Sequence, residues 1–146
     1  IPMSSIADEL AIRTLNARYI DAVNRYHPED WAATWATDAT WNLMGMDVVG
    51  RQAIAELWAG AMSSFEFAIM MLNSGTIDID GDTASGRWYL TEHTKPKEGD
   101  PALVLGVYDD RYCKEDGEWR FAERRYNIIY QGPADYSGTF NPYRPD

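Results

Sequence analysis

Two histidines, His27 and His93, titrate nearest to neutral pH in this sequence, so they are the first candidates for proton transfer. His93 lies in the stretch LTEHTKP, beside the acidic Glu92, near the end of a predicted strand. It is either a general acid or base at the rim of a pocket or an exposed side chain before a proline-containing loop. His27 precedes Pro28 and either caps a short helix or lies on the surface. His93 is therefore the stronger candidate for a catalytic base.

The stretch AERRYNIIY places two arginines in a predicted strand. Strand alternation puts Arg124 and Tyr126 on one face and Arg125 on the other. An arginine on the inner face needs a carboxylate partner or an anionic ligand. Asp109 or Asp110 on the preceding strand could supply that carboxylate, which favours a structural ion pair.

Other familiar chemical motifs are missing from the sequence. The two histidines lie in unlike positions and Cys113 is the single cysteine, so the sequence offers no cluster of zinc ligands and predicts no metal. It has no glycine-rich phosphate loop and no nucleophile-elbow pattern. We therefore expect chemistry, if there is any, without a cofactor.

The composition is that of an acidic globular protein. Hydrophobic residues make up 45% of the 146 residues and aromatic residues 13%, which predicts one folded domain over residues 1–146. The net charge of −10 argues against nucleic acid and anionic membranes as partners. No apolar run reaches the roughly 20 residues of a membrane span, and no leader segment is visible. These features predict a cytoplasmic location.

Helical periodicity dominates the first half of the chain. A first amphipathic helix precedes a short second helix that starts at Pro28, and a third helix follows Gly50. The second helix is expected to carry Trp31 and Trp35 on one face, because they are four residues apart.

Strand patterns dominate the second half. One strand, with Trp41 and Leu43 on the same face, lies between the second and third helices. After about Phe67 the chain reads as long strands joined by tight turns that contain Asp and Gly, followed by a tail from about residue 133. The fold predicted is α+β, with a bent antiparallel sheet on a layer of three helices. A sheet curled around one long helix leaves a cavity between them.

This order of elements resembles the SnoaL-like branch of the nuclear transport factor 2-like superfamily. Four stretches between about Ile6 and Pro133 carry the resemblance: YIDAVNRYHPEDWAATWATDATW, GRQAIAELW, IDIDGDTASGRWYL and YCKEDGEWRFAERRYNIIYQGP. The resemblance implies a cone, in which the sheet wraps around the first helix and opens at one end to an apolar pocket. Members include scytalone dehydratase, hexachlorocyclohexane dehydrochlorinase and polyketide cyclases. The small subunits of aromatic-ring dioxygenases share the fold but use it structurally.

The resemblance also implies where catalytic residues would lie. In the dehydratase and dehydrochlorinase members, an Asp near the end of the first helix orients a His early in the first long strand. The matching positions here hold Asn24 and Met70, or Met71 if the register differs by one residue. The substrate would then be handled by His93 or a bound water as base, with Asn24 and Tyr108 polarising its oxygen. Asn24 is equally suited to cap the helix, and Tyr108 to be an ordinary core residue.

The implied ligand is a small hydrophobic molecule with a ring. The expected lining residues are Tyr19, Val23, Trp41, Leu43, Trp58, Phe67, Met70, Met71, Trp88 and Tyr126. The same side chains could instead form a core that binds nothing.

The sequence thus predicts a cofactor-independent dehydratase, isomerase or cyclase. The alternative is a non-catalytic ligand-binding protein or a structural partner of the dioxygenase small-subunit kind. We expect a homodimer or homotrimer paired through the outer face of the sheet, with Tyr112, Trp119 and Phe121 on that face.

Overall fold

In the computed structural model, which describes residues 3–135, 137, 139 and 141, three helices pack on one six-stranded sheet. The helices are α1 (Met3–Arg25), α2 (Pro28–Ala33) and α3 (Arg51–Ser63). The strands are β1 (Trp35–Leu43), β2 (Met46–Val49), β3 (Phe65–Asp80), β4 (Thr83–Pro96), β5 (Ala102–Glu115) and β6 (Glu118–Pro133). The predicted α+β class is confirmed. Within the described ranges, no helix is long and apolar enough to cross a membrane.

The sheet is mixed rather than purely antiparallel. Its strand order is β2-β1-β6-β5-β4-β3, so β2 and β3 form the two edges and the curved sheet does not close. Strands β3 to β6 form consecutive antiparallel hairpins, but β1 runs parallel to β6. The prediction of an antiparallel sheet was wrong at this pair. A tight hairpin forces its two strands to be antiparallel, whereas β1 and β6 are far apart in the chain and no hairpin sets their direction.

The predicted turn between β5 and β6 has the geometry that a two-residue hairpin needs. Asp116 and Gly117 link the paired residues Glu115 and Glu118, and their φ angles are 54° and 78°. Positive φ at both central residues defines a type I′ turn, which Asp-Gly favours. The local sequence therefore fixes this hairpin.

Helix α1 ends at Arg25, and the residue that follows it is an aromatic one in the left-handed region. Tyr26 has φ 54°, its N–H donates to the carbonyl of Val23, and the next N–H, of His27, donates to that of Ala22. This is the Schellman arrangement that usually places glycine at this position. His27 then caps α2, because its Nδ1 accepts a hydrogen bond from the N–H of Asp30. The helix-capping alternative for His27 is thus confirmed.

Trp35 lies in the sheet and not in α2. Helix α2 ends at Ala33, and the hydroxyl of Thr34 donates to the carbonyl of Trp31. The carbonyl of Thr34 accepts from the N–H of Phe121 on β6, which brings the chain into the sheet one residue before Trp35. The prediction that Trp35 belongs to the helix was therefore wrong, because sheet pairing competes with the helical pattern.

The space between α1 and the inner face of the sheet is filled by aromatic rings. Trp31 stacks on Trp58 with ring centroids 4.5 Å apart, and Tyr19, Trp35 and Trp41 surround this pair. Each large ring contributes about 1.5–3 kcal/mol by burial. These contacts join all three helices to the sheet.

Three aromatic residues expected on the outer face are buried instead. Tyr112, Trp119 and Phe121 lie in the core. A β-bulge in β6 explains part of the error: Arg111 pairs with Glu123 but Tyr112 pairs with Phe121, so one residue is skipped. The outer-face prediction was wrong for these residues.

Candidate functional site

A cavity of about 570 Å³ lies beside the end of α1, against the end of α3 and the first half of β3. This volume is in the usual range for small-molecule sites. Its lining residues are Val23, Asn24, Tyr26, Met62, Ser63, Phe65, Glu66, Phe67, Ala68, Ile69, Met71, Lys97 and Asn141. Four of them were predicted from the sequence: Val23, Asn24, Phe67 and Met71. This cavity is called the α1 pocket below.

Tyr26 forms an aromatic wall of the α1 pocket. Its ring stacks on Trp58 with centroids 5.7 Å apart and an interplanar angle of 29°. A bulky residue at positive φ costs on the order of 1–3 kcal/mol and persists only where its surroundings hold it. Sequence patterns gave no signal for this residue, because the left-handed conformation normally indicates glycine or asparagine.

Asn24 binds the free edge of β3. Its Nδ2 donates to the carbonyl of Met70 at 2.8 Å, and its Oδ1 accepts from the N–H of Met70 at 2.8 Å. The side-chain amide therefore pairs with a peptide group as a neighbouring strand would. The structure brings together the two positions at which the resemblance places the catalytic dyad, but here they form a structural contact.

The two adjacent methionines face opposite sides of the sheet. Met70 is 5% exposed on the inner face, where the Tyr108 hydroxyl lies 3.5 Å from its sulfur, whereas Met71 is 52% exposed. Tyr108 is buried, and its hydroxyl also lies 3.4 Å from that of Tyr19. Met70 thus occupies the inner position in the register.

His93 and Glu92 also face opposite sides of β4. Glu92 pairs with Val104 and Met70 and shares the inner face with Trp88 and Leu90, because β4 pairs with β5 without a bulge. His93 lies on the outer face, away from the aromatic interior. The inner titratable group on this strand is therefore Glu92, which sequence reasoning missed although alternation from Trp88 indicates it.

A glycine lets Tyr126 reach Glu92 across an intervening strand. The Tyr126 hydroxyl donates to Glu92 Oε2 at 3.1 Å, from β6 to β4 over β5. At the crossing point stands Gly106, where an added Cβ would lie 2.9 Å from the Tyr126 ring. The absent side chain makes room for the ring and so for this hydrogen bond.

Burial sets the proton affinities of this pair. It raises the pKa of the Glu92 carboxyl, and the hydrogen bond from Tyr126 offsets only part of that effect. Burial, together with the Glu92 charge, also raises the pKa of Tyr126, and burial raises that of Tyr108. Both tyrosines therefore remain hydrogen-bond donors at neutral pH, whereas Glu92 holds its proton more tightly than an exposed glutamate.

The buried Arg124 is paired, as the sequence predicted. Its Nε and Nη2 donate to Asp110 at 2.8 and 2.9 Å, and Nη2 also donates to Asn16 on α1 at 2.6 Å. The guanidinium carbon lies 3.7 Å from the centre of the Tyr108 ring. Although burial opposes its charge, Asp110 raises the pKa of Arg124, so the side chain stays ionised. Asp109, the other candidate, pairs with Arg87 on the outer face.

Several predicted lining residues lie in the core rather than at the α1 pocket. Tyr19, Trp41, Trp58 and Trp88 are buried, and Leu43 and Tyr126 pack partly buried against them. The rings of Tyr19, Trp41 and Trp58 each contact Trp31, which is the core alternative for these side chains. Among the described residues, no group of three His, Cys, Asp or Glu side chains could hold a metal ion.

The sequence matches one protein family and several uncharacterized bacterial proteins over most of its length. The SnoaL-like domain family matches residues 4–125. An uncharacterized protein of Mycobacterium tuberculosis is 28% identical over 138 residues, which cover 90% of this chain and 92% of that protein.

Solved structures agree in fold. A hexachlorocyclohexane dehydrochlorinase of Novosphingobium barchaimii superposes with a TM-score of 0.83 at 20% identity, over 94% of this chain and 97% of its own. A Novosphingobium aromaticivorans structure provisionally named a scytalone dehydratase gives a TM-score of 0.81 at 21% identity, over 97% and 94%. At these identities the likeness establishes the fold, and the activity has to be argued from the site.

Proposed function

The chain belongs to the SnoaL-like domain family, and from this premise we propose that it binds a small hydrophobic molecule with a ring in the α1 pocket. We further propose that it performs cofactor-independent proton transfer on this molecule, as a dehydratase, isomerase or cyclase does. The observation that carries the proposal is the α1 pocket itself, a cavity of about 570 Å³ with a mainly apolar wall.

The chemistry of the wall supports a ring-bearing ligand. Tyr26 and Phe67 offer aromatic faces, and rings prefer offset or edge-on contact with such faces. Met62 and Met71 add flexible thioethers that adapt to irregular shapes. Lys97 is a polar group in the same wall and suits a ligand oxygen.

The buried hydroxyl of Tyr108, which reaches Met70 on β3, supports proton-transfer chemistry. The groups that face the Tyr108 hydroxyl are the Met70 sulfur at 3.5 Å, a weak acceptor, and the Tyr19 hydroxyl at 3.4 Å, a long contact, so a substrate oxygen would compete well for that hydroxyl. Asn24 is less available than the sequence suggested, since both ends of its amide bind Met70. Tyr108 is therefore the better candidate to polarise a substrate oxygen, an effect worth on the order of 3 kcal/mol per donor.

A non-catalytic ligand-binding protein is the second candidate. The observation that favours it is the contact between Asn24 and Met70, because neither side chain can exchange a proton near neutral pH. This alternative shares the α1 pocket with the first proposal and differs only in the absence of turnover.

Two neighbouring serines allow a matched test of the pocket. Ser63 and Ser64 are both exposed, and each hydroxyl donates to a carbonyl three residues earlier at 2.6 Å. Only Ser63 lines the pocket. We expect Ser63→Phe to fill the cavity and weaken binding of 2-naphthol about tenfold or more, a loss of about 1.4 kcal/mol. Ser64→Phe should bind as the wild type does.

Isothermal titration calorimetry with 2-naphthol and 1-tetralone provides the measurement. Saturable binding that Ser63→Phe weakens and Ser64→Phe leaves intact supports the pocket proposal. Failure of both probes to bind the wild-type protein, or equal effects of the two substitutions, contradicts it.

We also propose that the chain forms a homodimer or homotrimer through the outer face of the sheet. Exposed apolar residues Met71, Tyr89 and Leu105 lie there on adjacent strands. The proposed cytoplasmic location rests on composition alone, and cell fractionation tests it.

A further inference from the structure

Glu92 is a carboxylic acid held inside the sheet without a basic partner. Its hydrogen bond comes from the neutral hydroxyl of Tyr126. Within the described residues, no Lys, Arg or His lies within salt-bridge distance of Glu92, whereas the other inner carboxylate, Asp110, is paired with Arg124. A half-buried carboxyl group on the inner face without a cation costs stability, so its presence there points to a use.

Side chains from three neighbouring strands surround the carboxyl group of Glu92. Gly106 provides the space through which Tyr126 reaches the carboxyl group, and Tyr108 packs against Tyr126 with ring centroids 5.3 Å apart. Met70, the cross-strand neighbour of Glu92, closes the other side. Two hydroxyl donors and one carboxyl group therefore share a largely apolar space.

Glu92 lies close to the wall of the α1 pocket. Ala68 lines that pocket and pairs with Thr94, and Glu92 is two residues before Thr94 on the same face. Diagonal neighbours on one face of an antiparallel pair are about 7–8 Å apart. Met70 lies directly opposite Glu92 on β3, two residues from Ala68, and methionine side chains change rotamer readily.

We propose that Glu92 is the proton-transferring group for molecules bound in the α1 pocket, with Tyr126 as the residue that positions its carboxyl group. This inference rests on the proposed function and names its catalytic residue. The substrate class is a ring compound with an acidic C–H bond next to an electron-withdrawing group, such as a ketone.

The proton inventory of the reaction is simple. Ionised Glu92 takes the proton from the carbon, and the C–H electron pair forms a C=C bond while the ketone oxygen takes the negative charge. The oxygen accepts a hydrogen bond from Tyr108. In a β,γ-unsaturated ketone, Glu92 then returns the same proton to the γ carbon, which gives the conjugated isomer; in a β-hydroxy ketone, it returns the proton to the leaving hydroxyl group, which departs as water. In both cases the enolate electrons re-form the C=O bond and a C=C bond remains in conjugation with it.

The Kemp elimination of 5-nitrobenzisoxazole tests this role without knowledge of the natural substrate. A base removes the C3 proton of this bicyclic probe, the electron pair forms a nitrile as the N–O bond breaks, and the coloured phenolate is released. We expect Glu92→Gln to lower the rate about a hundredfold or more. Glu56→Gln, the same substitution at an exposed glutamate of α3 that does not line the α1 pocket, should retain the wild-type rate.

The pH profile adds an independent readout. Because burial raises the pKa of Glu92, the wild-type rate should rise with pH through a midpoint above the ordinary glutamate value of about 4.3. Folding of Glu92→Gln is checked by its thermal midpoint. Because the pKa of Glu92 is raised in the folded state, ionisation of Glu92 lowers the free energy of unfolding of the wild-type protein as the pH rises. Glutamine does not ionise, so the Glu92→Gln variant should be at least as stable as the wild type at pH 7.

The binding of 2-naphthol and the rate of the Kemp elimination together distinguish the pocket proposal from the proposed role of Glu92. If 2-naphthol binds but Glu92→Gln eliminates as fast as the wild type, or if Glu56→Gln loses the rate equally, the role of Glu92 is overturned and the pocket proposal stands. If neither probe binds nor reacts, the proposed function fails and this inference fails with it.

Discussion

An amide and a carboxylate have nearly the same shape, but only the amide both donates and accepts hydrogen bonds. Asn24 uses both capacities on one peptide group, since its Nδ2 and Oδ1 bind the carbonyl and N–H of Met70. A carboxylate at position 24 would orient an imidazole at position 70, as the family resemblance implies. The amide instead attaches the edge of β3 to the end of α1.

Replacement of Asn24 by Asp should break half of this contact. A carboxylate oxygen would face the Met70 carbonyl, so we expect the free energy of unfolding at pH 7 to fall by about 1–3 kcal/mol. Protonation restores a donor and favours the folded state, so the folded-state pKa of the new carboxyl lies above its unfolded value. The lost stability should therefore return below about pH 4.

Urea denaturation at pH 7 and pH 3.5 measures this effect. Asn73→Asp is the matched control, because Asn73 is exposed and its amide donates to the Thr91 hydroxyl rather than to a peptide group. Equal losses in the two variants, or a loss in Asn24→Asp that is the same at both pH values, would show that the contact is not structural.

The face of the sheet on which a side chain lies could be predicted from the sequence only by following the alternation of residues along a strand. Alternation put Arg124 and Arg125 on opposite faces and gave Asp109 or Asp110 as the partner of whichever arginine faces inward; the structure places Arg124 inside and pairs it with Asp110. The same parity, counted from Trp88, places Glu92 inside. The neighbouring His93 has the more suitable ordinary pKa, so choosing by residue type favours the wrong face for an interior group.

At the scale of elements, sequence periodicity predicted the helices and long strands, which depend on local repeats. It missed the short strand β2 and the pairing of strands that are distant in the chain. The three helices and four long strands carry clear repeats and were predicted. Strand β2 has four residues and an almost fully exposed pattern, so it has no alternation to detect. The parallel pairing of β1 with β6 joins distant parts of the chain, and no short-range signal encodes it.

Gly106 couples the geometry of β5 to that of β6. Gly106→Ala would place a Cβ 2.9 Å from the Tyr126 ring and 3.2 Å from the carbonyl oxygen of Asn127. Overpacking of this kind costs about 1–3 kcal/mol. We expect a lower free energy of unfolding and displacement of Tyr126 from Glu92, measured by urea denaturation and by the pH midpoint of the Kemp elimination.

The direction of the pH change follows from the lost hydrogen bond. The Tyr126 hydroxyl lowers the pKa of Glu92, so its displacement should move the midpoint to higher pH. Gly60→Ala on α3 is the control, because an added Cβ there meets nothing within 4 Å and alanine favours the helix by about 1 kcal/mol. An unchanged midpoint in Gly106→Ala would show that Gly106 does not set this contact.

At the scale of the whole molecule, charge is unevenly placed on an acidic surface. The net charge of −10 makes two copies repel each other. The outer face of the sheet is an exception, because Arg87, Arg111 and Arg125 lie there among Asp109 and Glu123 and form ion pairs with them. These ion pairs reduce the repulsion between copies at this face, beside the exposed apolar residues Met71, Tyr89 and Leu105.

Association of copies through the outer face of the sheet can be tested with one pair of leucine substitutions. Leu105 on the outer face is 39% exposed and Leu57 on α3 is 37% exposed, so the two are matched in exposure but differ in location. If copies associate through the sheet, Leu105→Glu buries a charge in the interface and should convert the dimer or trimer to a monomer. Leu57→Glu should leave the assembly unchanged. Sedimentation equilibrium distinguishes the outcomes, and a wild-type monomer, or dissociation by Leu57→Glu alone, would exclude the outer face as the interface.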